Sequence, residues 1–263
     1  MHAEGTSVRV AIARPLLPIA TSAADGNGFE ESMGKDDFRQ DARAARAADV
    51  DEMARILTLA FLDDPVWGPA FPESGRRRAV ADAFWHFMCT EALRFPDSMV
   101  TVAAGPALKA VSVWLPPGAN EVSDASHNAY DAMTLELLGA AAADRLAQAG
   151  ERFAAARPDE PHAYLTLLGV APEWRGGGHG MGLLRAALSR YDALGIPTYL
   201  ESSNPVNDRR YEVLGYRPRS KVHLATGAAV QTYWREAQPP AASADETDRS
   251  RLGAPEATEG RGG

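Results

Sequence analysis

The glycines Gly176, Gly177, Gly178, Gly180 and Gly182 crowd into APEWRGGGHGMGLLRAAL, residues 171 to 188, between an apolar run and an apolar helical pattern. Glycine loses more backbone entropy on folding than other residues, so such a cluster marks a sharp bend or a close approach of backbone to something else. A strand that runs into glycines and then into a helix presents backbone N–H groups and the positive end of a helix dipole at one point. A pyrophosphate fits that chemistry. The dinucleotide spacing G-x-G-x-x-G is absent in every register, and no Gly-Lys-Ser/Thr follows, so neither of those phosphate loops is present. What remains is Arg175-x-x-Gly178-x-Gly180, after Pro172 and a strand ending at Val170.

Other reactive side chains are sparse. The one cysteine, Cys89, lies in the apolar, helical FWHFMCTEAL and reads as a buried, inert thiol. His127 has no partner at metal-ligand spacing, so no metal is expected. The formal net charge of −8 argues against a nucleic-acid partner. Between Arg175 and Lys221, however, eight basic residues face four acidic ones, which suits a small polyanion. No run reaches the roughly 18 apolar residues of a membrane span. Arg9, Arg14, Pro15 and Pro18 break up the only leader-like stretch, residues 8 to 20, so a cytoplasmic protein with no membrane partner is expected.

The elements that must position the loop follow from periodicity. Residues 1–40 and 238–263 lack sustained apolar patterning and read as disordered tails around a domain at 41–237, with Met33 a candidate start. ARAAR at 42–46 reads as a weak strand. Val50, Met53, Ile56, Leu57, Ala60 and Phe61 recur at helical spacing after a possible Asp49 cap. A second helix spans RRRAVADAFWHFMCTEALRF. SMVTVAA and KAVSVWLP form a hairpin about a Gly-Pro turn. Residues 129 to 157 read as helix with interruptions near Gly139 and Gly150. HAYLTLLGV is a strand leading into the glycine loop and its helix, PTYLESS a strand, NDRRYEVLG a short helix, and RPRSKVHLA with AVQTYWRE a closing hairpin. The order predicts an α/β fold: one mixed, mostly antiparallel sheet flanked by helices.

Arg175-x-x-Gly178-x-Gly180 after Val170-Ala171-Pro172 resembles the acetyl-CoA signature of the GNAT N-acetyltransferase superfamily, and NPVNDRRYEVLGYRP resembles its C-terminal motif. Within that superfamily the chain is most similar to puromycin N-acetyltransferase-like members. The likeness is nearly gapless over residues 162 to 218, and LAFLDDPVW and VSVWLPP extend it to roughly 42 to 236. His179 stands where an aliphatic residue is usual, and Arg210 where an aromatic one often precedes the tyrosine.

The resemblance implies acetyl-CoA as co-substrate. Leu168 and Val170 would offer backbone pairing to its pantetheine arm. Arg175 and the amides of Gly176, Gly177, Gly178, His179, Gly180 and Met181 would hold the pyrophosphate. Asn207 would bond the pantetheine near the thioester, and Tyr211, one helical turn on, would be the general acid. Glu201 is a candidate base, acting directly or through water, though a carboxylate there could equally pair with an arginine. His162 reads as a strand-end histidine. The acceptor pocket would come from the loop carrying Asp63, where Asp64, Trp67 and Phe71 combine acidic and aromatic groups suited to a cationic amine. Trp67 and Phe71 could equally close the core. The implied activity is transfer of acetyl to a primary amine of a small molecule, an antibiotic or a metabolite, by direct attack in a ternary complex. The alternatives are acetylation of a protein lysine or N-terminus, and a non-catalytic acyl-CoA-binding module. A monomer and a homodimer are both compatible with the chain.

Overall fold

The computed structural model describes residues 42–71, 74–95, 100–103 and 107–238. The expected tails up to residue 40 and beyond Gln238, Met33, and the Gly-Pro turn at 105–106 lie outside the described residues.

Seven strands form one sheet in the order β1-β2-β3-β4-β5-β7-β6. They are β1 (Ala42–Ala44), β2 (Val100–Ala103), β3 (Ala110–Leu115), β4 (Ala163–Val170), β5 (Thr198–Ser202), β6 (Arg217–His223) and β7 (Ala229–Arg235). Every neighbouring pair is antiparallel except β4 with β5. The mixed, mostly antiparallel sheet read from the sequence is therefore the observed one. Among the described residues the α-helices are α1 (Val50–Phe61), α2 (Arg77–Ala92), α3 (His127–Leu138), α4 (Ala140–Ala156), α5 (His179–Ala193) and α6 (Asp208–Val213).

The continuous apolar run of β4 follows from its central place, because side chains on both of its faces are buried. On one face Leu167 joins the core built from α1, α2 and α3, including Ile56, Phe61, Phe84 and Trp85. On the other, Leu165 and Leu168 pack with Leu184 and Leu188 of α5 and with Leu200, Tyr211 and Tyr233. Gly169 lacks a side chain for a packing reason: a Cβ there would lie 3.0 Å from Leu57 and 3.3 Å from Ile56. Arg235 on β7 clamps the end of α5 by two bonds to Asp192, at 2.6 and 2.8 Å.

Two local expectations change. Asp49 sits at the start of α1 but makes no side-chain cap. Its carboxylate accepts from Arg43 at 2.7 and 2.8 Å and from the Arg46 amide at 2.7 Å, which fixes the 3-10 turn that leads into the helix. Gly150 does not interrupt α4; the alanine-rich flanks carry the helix through a single buried glycine. Gly139, at φ +78°, does separate α3 from α4.

Candidate active site

The glycine loop follows β4 through a 3-10 turn at Pro172–Trp174. Gly176 and Gly178 adopt φ of +79° and +74°, the left-handed region that side chains with a Cβ disfavour. Gly178 is the N-cap of α5, and the first bond of the helical ladder runs from the Gly182 amide to the Gly178 carbonyl at 2.8 Å. The amides of His179, Gly180 and Met181 thus lie ahead of the ladder, at the positive end of the helix. Gly180 has a different reason to be glycine. A Cβ there would stand 2.8 Å from Val170 Cγ2, so it allows the first turn of α5 to press against β4. At Gly177 a Cβ would lie 3.0 Å from the His179 ring. That ring meets Trp174 edge to face, with centroids 5.8 Å apart.

Arg175 turns its guanidinium toward α1, where Nη2 donates to the Leu59 carbonyl at 2.9 Å, and it is attracted by Asp63 and Glu173. A second cation reaches the loop from a place the sequence reading missed: Lys109 Nζ lies 5.1 Å from the centre of the Trp174 ring. The net-positive segment does not make one patch. Arg217, Arg219 and Lys221 lie on β6, at the far edge of the sheet from the loop.

Next to the loop, β4 and β5 part. They pair at Ala163↔Thr198, Tyr164↔Tyr199 and Leu165↔Leu200, and no pair follows. The separation coincides with an irregularity on the other side of β4, where Val113↔Leu167 is followed by Trp114↔Leu165. Thr166 is the extra residue of this bulge. From Thr166 to Val170, including Leu168 and Val170, the edge of β4 toward β5 has no strand partner. That is the backbone expected to meet an extended ligand arm.

Buried polar side chains lie on both faces of the sheet beside β4 and β5. Asn207 and Tyr211 are both buried, each 1% exposed. Asn207 Oδ1 accepts from Arg210 Nη1 at 2.8 Å. The Tyr211 ring packs among Tyr216 and Tyr233, with centroids 6.2 and 6.0 Å away. On the opposite face Glu201 is wholly enclosed and accepts a hydrogen bond from the Tyr164 hydroxyl. Burial pushes its pKa up to about 7, against the pull of Arg157 and of the Tyr164 and Tyr199 hydroxyls. Thr166, the bulge residue, donates to the buried Glu121. The sequence reading missed Tyr164, Thr166, Glu121 and Arg157. Only the alternation along β4 could have signalled the first.

The residues expected to line an acceptor pocket are themselves buried. Asp64 is buried and accepts from the amides of Val66 and Trp67, at 2.9 and 3.2 Å, and from Ser203 Oγ at 2.8 Å. It thereby ties the loop after α1 to the end of β5. Trp67 and Phe71 point into an aromatic cluster with Phe61, Phe84 and Trp85, such as the Trp67–Trp85 pair at 5.0 Å. All three are enclosed by protein, and Asp63 alone of that group is exposed. His162 is a strand-end residue, its Nδ1 2.6 Å from the Glu160 carbonyl and its ring edge-on to Tyr199 and Trp234. Burial lowers its pKa. Cys89 is fully buried, and burial pushes its thiol pKa up. Among the described residues no group of three or more His, Cys, Asp or Glu could hold a metal, and no helix is long and apolar enough to cross a membrane.

Comparison with known proteins agrees with this geometry. Residues 123–216 match the model of the acetyltransferase (GNAT) family. The fold resembles that of the histone acetyltransferase HPA2 and related acetyltransferase from Corynebacterium glutamicum, at 21% identity over 76% of this chain and 97% of that one, with a TM-score of 0.58. It also resembles a mutant agmatine N-acetyltransferase in its apo form, at 18% identity over 74% and 98% of the two chains, TM-score 0.53. The matched segment runs from the start of α3 to the end of α6 and takes in the divergence, the glycine loop, Glu201 and Tyr211. Residues 123–216 are thus the stretch of the chain that is similar to the acetyltransferase (GNAT) family.

Proposed function

We propose that the protein is an acetyl-CoA-dependent N-acetyltransferase acting on a primary amine of a small molecule, by direct attack within a ternary complex. The observation that carries this reading is the opening between β4 and β5, with the buried carboxyl of Glu201 on one face of the sheet and the buried phenol of Tyr211 on the other. Groups that take and give a proton on opposite sides of one opening suit a reaction in which an amine enters from one side and a thiolate leaves on the other.

Acetyl-CoA would supply an acetyl group activated as a thioester. The residues present suit it: glycines that hold left-handed backbone, helix-start amides ahead of the ladder, and an open edge on β4. Gly176 to Met181 would hold the pyrophosphate, with Arg175 and Lys109 adding positive charge beside the loop. The edge at Leu168 and Val170 would pair with the amide-bearing arm, and Asn207 would bond it. Glu201, whose pKa lies near neutrality, would take the proton of the incoming amine. Tyr211 would give a proton or hydrogen bond to the departing sulfur. Asp64, Trp67 and Phe71 would shape the acceptor wall from behind, by fixing the loop after α1. The likeness to puromycin N-acetyltransferase-like members supports a small acceptor, an antibiotic amine among the candidates.

Steady-state release of free CoA tests the reading with a panel that includes agmatine, a polyamine, an aminonucleoside and a lysine peptide. Amine-dependent release is expected with at least one small amine. Tyr211→Phe should lower kcat by about 10- to 1,000-fold with acetyl-CoA affinity little changed, as loss of a general acid does. Release stimulated by the peptide alone would replace the acceptor class. Binding of acetyl-CoA without turnover on any amine would make the chain a binding module.

A further inference from the structure

An enclosed carboxylate needs a positive charge nearby if it is to ionise at neutral pH. The surroundings of Glu201 offer few. From β4 it meets the phenol of Tyr164, and from its own strand the phenol of Tyr199. Across the β5–β7 pairing it faces Thr232, which bonds to Ser220. The nearby carboxylate, Glu121, acts on Tyr164 in the same sense as Glu201 and supplies no positive charge. His162 lies against Tyr199, but burial favours its neutral form. Arg157 is the cation that remains.

Its placement is a product of the fold. The helix α4 ends at Ala156, Arg157 is extended at φ −65° and ψ 136°, and the buried Pro158 prevents another turn. The side chain lies on the sheet with its guanidinium carbon 4.3 Å from the centre of the Tyr164 ring. Nε and Nη2 are shut off from solvent and have no hydrogen-bond acceptor. An arginine serving only solubility would keep its head in water. Withdrawing two nitrogens from water carries a cost that the ring face and the Glu201 charge offset.

We infer that Arg157 is a positioning residue of the acceptor side: it holds the Tyr164 phenol against Glu201 and supplies the positive charge that lets this enclosed carboxyl ionise. The kinetic consequence rests on the reading of Glu201 as the proton acceptor; the electrostatic one does not. The test is therefore first spectroscopic. The Glu201 carboxyl is titrated by carbon-13 NMR in the full chain without acceptor, its signal assigned with Glu201→Gln. Arg157→Gln should raise the midpoint by about one pH unit or more, which is tenfold less ionised carboxylate well below it. Arg157→Lys should restore most of the wild-type midpoint. Tyr164→Phe keeps the ring beneath the guanidinium and removes the hydroxyl; it should raise the midpoint too, and Arg157→Gln added to it should raise it further.

A midpoint unmoved by Arg157→Gln, in protein that still unfolds cooperatively, would overturn the inference. If that variant does not fold, Arg157→Met, which keeps an unbranched stem over the Tyr164 ring and removes the charge, takes its place: a raised midpoint supports the inference and an unmoved one overturns it. With an acceptor in hand, the pH profile of kcat/KM should move to higher pH in step with the carboxyl. A shifted carboxyl with an unshifted rate profile would support the role of Arg157 and remove Glu201 as the base. A rise in KM with no shift in either titration would overturn the role of Arg157 and make it a substrate contact.

Discussion

Replacing Glu201 by glutamine should make the stability of the protein less dependent on pH, by an amount the structure sets. The carboxyl is fully enclosed, and its pKa rises from an ordinary 4.5 to about 7 on folding. Below about pH 4.5 it is protonated in both folded and unfolded chains, so its favourable contribution is fully present. As pH rises from there, the unfolded chain ionises and the folded one resists, and wild-type stability falls by up to about 1.4 kcal/mol per pH unit. Above about pH 7 the folded carboxyl ionises as well, and the loss levels off near 3 kcal/mol by the same relation. Glutamine does not titrate, so Glu201→Gln removes this dependence and leaves a constant offset from its changed hydrogen bonds. Urea unfolding of both proteins, followed by tryptophan fluorescence from pH 4.5 to 8.5, reads the difference directly. A loss of that size is a large share of the roughly 5–15 kcal/mol typical of a domain, so it is measurable. A difference that stays flat across the range would refute the reasoning, because an unshifted carboxyl gives no slope.

Acetyl-CoA should raise Tm in proportion to the logarithm of its concentration once above its Kd, and Gly178→Val, which puts a β-branched side chain at φ +74°, should abolish the rise; an unchanged response in the variant would argue against the loop. Gly180→Ala should cost about 1–3 kcal/mol in urea unfolding, because its Cβ meets Val170 Cγ2 at 2.8 Å, and Val170→Ala in the same chain should recover part of that loss. Additive effects of the two would exclude the clash as the cause. Asp64→Ala should destabilise by about 2–3 kcal/mol, since it leaves the Val66 and Trp67 amides and the Ser203 hydroxyl without their acceptor, and a loss below 0.5 kcal/mol would contradict this.

The parts legible in the sequence were those where local chemistry demands a residue type. Left-handed backbone at Gly176 and Gly178 needs glycine, and the alternation of strand and helix patterns sets the order of elements. Glu201 was legible as a candidate from its place on the strand after the glycine helix. Its neighbours were not. Tyr164 and Glu201 are 37 positions apart and meet through the β4–β5 register, while Thr166 reaches Glu121 because of a one-residue bulge that no propensity announces. Arg157 depends on where α4 stops. The loop after α1 had two readings from its residue types, and packing against α2 decides that Trp67 and Phe71 face inward. Gly150 shows the converse: a residue that weakens a helix locally is carried by its flanks.

The end of pairing after Leu165 and Leu200 also has a mechanical side. The first four strands form one antiparallel block and β5, β7 and β6 another, and three parallel residue pairs are the whole seam between them. Beside that seam, α5 bridges the blocks like a splint, packed on β4 and clamped to β7 through Asp192 and Arg235, and Asp64 joins the loop after α1 to Ser203 past the end of β5. Strand pairing is continuous within each block, so relative motion of the two concentrates at the seam and opens or narrows the cleft beyond it. A molecule lodged there acts as a strut joining the two blocks. Its arrival should register as slower amide hydrogen exchange at residues 163–165 and 198–200, which lie at the hinge of that motion.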